Sequence, residues 1–213
     1  MDMFVVTADQ VDSRREADRV PEALTLLAGV RPRAANPFER TAGDEIQGVT
    51  DDPADLLDIV TSLIRADRWR LGIGIGPVDL PLPVSPRAGR GPAFIAARAA
   101  ISAAHPATGQ LAVRLGATPE LDPHLRAVRE RHTRYAESAL LLLARLLRGR
   151  TAEGWEVTDL LADGLTQKEA AARLGVSPSA VSQRVRRSGW SEQVGAVELV
   201  QHLLSVADGR TDP

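Results

Sequence analysis

The chain has 213 residues, a net charge of −2, 44% hydrophobic residues and no cysteine. It is long enough to bury a substantial core, and it excludes a disulfide scaffold, a thiolate metal site and cysteine catalysis. Aromatic residues make up only 3%, so that core must be built from Leu, Val, Ile and Ala. The amino terminus, Met-Asp-Met-Phe-Val-Val, has no basic region ahead of its apolar stretch and does not read as a secretory signal. The greasiest run, Ala139 to Ala144, ends at Arg145 and is too short to span a bilayer. The expectation is a cytoplasmic protein with no membrane partner.

Phe4-Val5-Val6-Thr7 reads as a short strand ending near Asp9. Val20, Ala23, Leu24 and Leu27 have helical spacing over residues 18–28. Phe38 to Val49 reads as a hairpin turning at Gly43-Asp44. Pro53 opens a helix whose inner face carries Leu56, Leu57, Val60, Leu63 and Ile64. Trp69 to Val78 is a strand with three glycines, followed by a Pro/Gly/Arg loop, a helix over about 92–104 and a last strand at Leu111-Ala112-Val113. The order β-α-β-β-α-β, then α-β, predicts an α+β fold: a ferredoxin-like sheet with helices on one face.

Residues 119–150 form one long helical pattern, with Leu125, Val128, His132, Tyr135, Ala139, Leu142 and Leu146 alternating at spacings of three and four. That is an a/d seam of about three heptads. It fits either a helix packed on its own domains or a dimerisation helix. The domain expectation is therefore 1–118 for the sheet domain, 119–150 for the linking helix and 151–213 for an all-α unit.

Within the last unit, Leu165 to Trp190 reads LTQKEAAARLGVSPSAVSQRVRRSGW. Thr166 and Glu169 form a capping box, so a helix begins at Gln167; Gly175 ends it with the positive φ that turns the chain. Ser177 caps a second helix with Pro178 at its first position. Ala171 is small where the helices cross, and Val176 and Val181 fill the wedge. Residues 155–162 supply a supporting helix. The segment resembles the helix-turn-helix of sigma-region-4-like and LuxR-like regulators, which implies a second helix lying in the major groove of double-stranded DNA. With Val181 and Val185 facing inward, Ser179, Ser182, Gln183 and Arg186 face outward. Gln pairs with adenine and Arg with guanine, while Ser serves base or phosphate. Arg184 and Arg187 are placed for phosphates, and Ser177, Gln167 and Lys168 complete the expected DNA-binding set.

The front part carries a second pattern: TADQVDSR (Thr7 to Arg14), RTAGDEIQGV (Arg40 to Val49), LGIGIGPV (Leu71 to Val78) and GPAFIAAR (Gly91 to Arg98), in that order. It resembles the SatD family and, through it, the catalytic core of class III nucleotide cyclases. The resemblance implies that Asp9 and Asp44 hold metal ions, Mg²⁺ by their oxygen chemistry, against a nucleotide triphosphate. Glu45 is a third carboxylate, which strand alternation points the other way. Arg40 stands at the position of a purine-reading Lys. Phe94 stands where the cyclase helix offers an Asn, while its Arg is kept as Arg98. The loss of that Asn makes the domain a binding or sensing platform, not a catalyst. Arg87 and Arg90, directly before a helix start at Pro92, add an anion-binding pattern. Gly72, Gly74 and Gly76 lack the Lys-Ser/Thr of a P-loop and read as a place of close packing. The four histidines have no metal-ligand spacing.

The sequence thus predicts a homodimeric, sequence-specific DNA-binding transcriptional regulator with a non-catalytic, nucleotide- or metal-sensing front domain. The alternative is a metal-dependent, cyclase-like nucleotide-processing enzyme targeted to DNA by its helix-turn-helix.

Overall fold

The computed structural model describes residues 2–30, 37–83, 85–106 and 109–211. Met1 of the lead-in to the first strand and Val84 of the Pro/Gly/Arg loop lie outside them. The front part is β1 (Asp2–Gln10), α1 (Val20–Val30), β2 (Glu39–Arg40), β3 (Glu45–Thr50), α2 (Pro53–Arg65), β4 (Trp69–Pro77), α3 (Pro92–Ala103) and β5 (Leu111–Leu115). Then come α4 (Pro123–Arg148), α5 (Ala152–Ala162), α6 (Gln167–Leu174), α7 (Pro178–Ser188) and α8 (Trp190–Ala207). No helix among the described residues is long and apolar enough to cross a membrane.

The strands form one sheet in the order β2-β3-β1-β4-β5, antiparallel except for the β4–β5 pair. Central β1 is buried on both sides, which explains why its sequence is a continuous apolar run instead of an alternating one. On one face Phe4, Val6, Ala8, Ile46, Leu71, Ile73 and Ile75 meet the inner sides of α1 and α2. Helix α2 starts where Asp52 accepts the Ala54 N–H at 2.8 Å with Pro53 as the first helical residue.

The expectation of helices on one face needs correction. Helix α3 lies on the opposite face, where Ala93 and Ala97 pack with Val5 and Val49. Two of the three glycines of β4 are the reason. A Cβ on Gly74 would stand 2.1 Å from the Ala93 carbonyl oxygen, and one on Gly72 would stand 2.3 Å from the Ile101 nitrogen. Only bare backbone lets the alanine-rich side of α3 approach this closely.

Helix α4 is part of the same core. Ala136, Leu140, Leu143, Ala144 and Leu147 join the sheet cluster, as do Val200, Leu203, Leu204 and Ala207 of α8. The expected a/d seam is therefore divided. Val128 is buried within the chain, and Leu146 abuts Gly189, where a Cβ would meet its Cδ1 at 2.4 Å. Leu125, Tyr135 and Leu142 stay exposed, Leu142 at 72%. His132 is half-buried, its Nδ1 lies 2.8 Å from the Val128 carbonyl oxygen, and its ring meets Tyr135 edge-on at 6.0 Å. The apolar arc of α4 is wider than the surface its own chain covers, because the buried stripe runs beside the heptad stripe instead of along it.

Candidate functional site

Helices α5, α6 and α7 enclose a small core of their own: Val157, Ala170, Ala171, Val181 and Val185, sealed by Leu160, Leu161, Leu174, Val176 and Trp190. The capping box is formed, with the Thr166 hydroxyl accepting from the Glu169 N–H and the Glu169 carboxylate accepting from the Thr166 N–H at 2.8 Å. Donation to the carboxylate from the Thr166 N–H and from the Thr166 hydroxyl, at 2.7 Å, holds the Glu169 carboxyl below its ordinary range. Gly175 closes α6 at φ 65°, in the left-handed region, and the Val176 N–H returns to the Ala171 carbonyl. Ser177 caps α7 by accepting the Ala180 N–H at 3.2 Å and is 3.0 Å from the Ser179 hydroxyl.

Helix α7 has two opposed sides. Val181, Val185 and Ser188 are buried, while Ser179, Ser182, Gln183, Arg186 and Arg187 are exposed. At about 100° per residue, Ser179, Gln183 and Arg186 point away from the buried side, with Ser182 and Arg187 on its flanks. Gln167 and Lys168 are exposed at the start of α6. Arg184 is different: it is half-buried toward α5, with Nη1 3.5 Å from the Glu156 carboxylate. Beside it, Gln183, Arg184 and Arg187 line a cleft of about 400 Å³ whose other wall is Thr151, Glu153 and Gly154. Among the described residues, Lys168, Arg173, Arg186 and Arg187 have no acidic partner. The exposed side of this helix pair is thus positive and carries amide and guanidinium donors in one row.

The helix pair is held to the rest of the chain by Arg150, a residue to which the sequence pattern assigned no role. Its guanidinium donates to the Ser188 carbonyl from Nε (3.0 Å) and Nη2 (2.8 Å), and to Gln193 Oε1 at 2.8 Å. It also lies 4.5 Å from the centre of the Trp155 ring. Arg65 of α2 approaches the same ring at 4.7 Å and binds Asp159 of α5 through two 2.8 Å hydrogen bonds.

In the front domain, Asp9 lies in a row across three strands, opposite Arg70 on β4 and opposite Glu45 on β3. Glu45 therefore shares a face with Asp9, contrary to the expectation from alternation; register, not position after the turn, sets its side. The Glu45 carboxylate accepts from the Thr41 hydroxyl at 2.5 Å. Asp9 is ion-paired with Arg70, and burial, helped by the nearby Asp44 and Glu45 charges, pushes its carboxyl above the ordinary range in spite of that pair. Arg40 is hydrogen-bonded to Asp18 at 2.5 Å and to the Gly43 carbonyl at 3.1 Å. So Asp9, Arg40 and Asp44 gather at one end of the sheet.

Arg90 precedes the start of α3, where Gly91 abuts Val78 and Pro92 abuts Gly116, at the opposite end of the strands. That is roughly 20 Å away along β1, at ~3.3 Å per strand residue. Arg87 sits on the 3-10 turn Pro86–Ala88 and Arg98 on the exposed side of α3, and no ion pair joins either to Asp9 or Asp44. Among the described residues no group of three or more His, Cys, Asp or Glu side chains is arranged to hold a metal ion. Asp9 meets Arg70 there, with Asp44 and Glu45 close enough for their charges to act on it. Arg70, the actual partner of Asp9, carries no motif signal; only strand register reveals it.

Residues 161–187 match a family model described as winged helix-turn-helix DNA-binding. The C-terminal helices thus form a helix-turn-helix of a DNA-binding type. The match ends within α7, and among the described residues the next element is helix α8, not a strand pair. A crystal structure of a regulator of polyketide synthase expression from Bifidobacterium adolescentis is similar over 99% of this chain and 82% of that one, at 13% identity and a TM-score of 0.28. That likeness decides nothing about fold or function. No curated protein matches the chain.

Proposed function

We propose that the protein is a sequence-specific, DNA-binding transcriptional regulator of the cytoplasm that acts as a homodimer. The carrying observation is the outward row of α7, where Ser179, Gln183 and Arg186 stand opposite the buried Val181 and Val185. Gln183 and Arg186 read base edges in the major groove, with Ser179 and Ser182 beside them. Arg187, Ser177, Gln167 and Lys168 contact phosphates, and Arg184 braces α7 against Glu156 while lining the same cleft. The four-helix arrangement of α5 to α8 favours the sigma-region-4 and LuxR-like type. Two copies meet through the exposed part of α4 that carries Leu125 and Tyr135, and so present two recognition helices to paired half-sites.

The sheet order β4-β1-β3-β2, with β5 added at the edge, favours the ferredoxin-like reading of a SatD- and cyclase-like front domain. We read that domain, residues 1–118, as a non-catalytic sensor. Its effector site is the end of the sheet carrying Asp9, Arg40 and Asp44, and a nucleotide suits it better than a resident metal because Arg70 already serves Asp9. Fluorescence anisotropy with the DNA upstream of the protein's own gene, at two salt concentrations, tests the regulator. Expected is binding that exceeds a scrambled sequence, weakens with salt and collapses in Gln183→Ala/Arg186→Ala. Equal binding of both sequences by both proteins would remove the sequence-reading role.

A further inference from the structure

Between the C-terminal end of α3, the start of β5 and the C-terminal half of α4, along the β5 edge of the sheet, lies a groove of about 740 Å³. Its walls are apolar: Ala103, Leu111, Ala112, Leu141 and Leu142. Its charges are arranged unequally along its length. At one end the only acid, Glu137, is already used, accepting from Arg114 Nη1 and from the Val113 N–H, both at 2.6 Å. The second of those bonds also caps the free edge of β5. At the other end stand Arg145 and Arg148, one turn apart. Arg148 Nη1 donates to the Gly109 carbonyl at 2.7 Å, and the Arg145 side chain has no hydrogen-bond or ion-pair partner among the described residues. The two ends are about 15 Å apart along α4, at ~1.5 Å per residue.

An apolar trough with a neutralised end and an end bearing two guanidiniums, of which Arg145 is unpaired and Arg148 feels the charge of Asp67 without a close ion pair, is complementary to one kind of molecule. We propose that this groove is a binding site for small amphipathic anions, with an aliphatic or aromatic body along Leu111, Leu141 and Leu142 and a carboxylate or similar head on Arg145 and Arg148. The volume is that of a small-molecule site, and two guanidiniums can grip a carboxylate by charge-assisted hydrogen bonds. The position gives the site a route to the DNA-binding helices. Arg145 and Arg148 form the last turn of α4, and Arg150, two residues on, holds the α7 carboxyl end and α8. This route rests on the regulator reading; binding itself does not.

The test is calorimetric titration of the full chain, without DNA, with decanoate and 2-naphthoate as probes and decanol and butyrate as controls. Expected is saturable binding of at least one anion at one site per chain, at least tenfold weaker in Arg145→Gln/Arg148→Gln, with neither control matching it. Both substituted arginines are exposed, so the variant keeps the fold, checked by its thermal midpoint. Three results would overturn the site: no saturable binding of either anion, equal affinity in the double variant, or decanol binding as well as decanoate. Anion affinity that falls as the protein self-associates would instead give the groove to a second copy and also overturn it. Loss of DNA binding with anion binding intact would count against the regulator alone.

Discussion

Two carboxylates show how opposite surroundings give opposite pH behaviour. Asp9 is pushed above its ordinary 3.8 chiefly by burial, so its charged form is disfavoured in the folded chain. A raised carboxyl takes up its proton more readily folded than unfolded, and stability falls as pH rises from 3.8 through the raised value. Wild type is therefore expected to lose stability relative to Asp9→Asn over that interval, measured by urea unfolding at stepped pH. Glu169 is held below its ordinary 4.5 by hydrogen bonds from Thr166. Its contribution is complete above 4.5 and disappears as pH falls through the lowered value, so Glu169→Gln should differ from wild type at neutral pH and converge with it in acid. Gly74 makes a sharper test. Its missing Cβ would meet backbone atoms of α3 at 2.1 and 2.4 Å, which no rotamer change can relieve. Gly74→Ala is expected to cost about 3 kcal/mol, the upper part of the range for overpacking, read from the urea midpoint.

At the scale of the element, α4 carries the clearest consequence. Leu143 and Leu147 are buried against the sheet and α8, whereas Tyr135, 52% exposed, lies on the adjoining stripe. Leu143→Ala should therefore cost about 3 kcal/mol, as for other buried leucines. Tyr135→Glu should leave stability within about 0.5 kcal/mol and act on association instead. Sedimentation should show dimer for wild type and monomer for Tyr135→Glu; two monomers would remove α4 as the dimer contact. How much of these elements was legible follows from which signals are local. Caps, breakers and turn residues act within a few positions, so Pro53, Thr166…Glu169, Gly175 and Ser177-Pro178 could be read directly, and the structure has each in place. The side of the sheet taken by α3, the facing of Glu45 and the Asp9–Arg70 pair depend on register and crossover. Those are set by contacts between distant segments, and no window of sequence contains them. The heptad of α4 left two readings open for a related reason: an apolar arc records everything a helix must cover, and it does not say which part its own chain covers.

At the scale of the whole molecule, the DNA-binding helices are not a separate bead on a linker. Helix α4 enters them from the sheet core, and α8 returns to that core, so α5, α6 and α7 are bracketed by two helices that share one hydrophobic cluster. The small core of the trio is distinct from that cluster, and polar contacts cross the boundary between them. The Arg65–Asp159 bridge is about half exposed and contributes little by itself, ~1 kcal/mol or less. Arg150 is only 7% exposed, and it supplies two charge-assisted hydrogen bonds to the Ser188 carbonyl as well as a face against Trp155. Removing it leaves a carbonyl that closes α7 without its donors, a loss of about 2–3 kcal/mol. Arg150→Met keeps much of the apolar stem while removing those bonds, so the cost should fall on the trio and not on the sheet. Hydrogen exchange is expected to quicken in α7 and around Gln193, with β1 and β4 unchanged, and DNA affinity to drop without any change to a residue that faces DNA. Exchange that quickened equally in β4 would show one cooperative unit, and Arg150 would then be a core residue like any other instead of the joint between body and reading head.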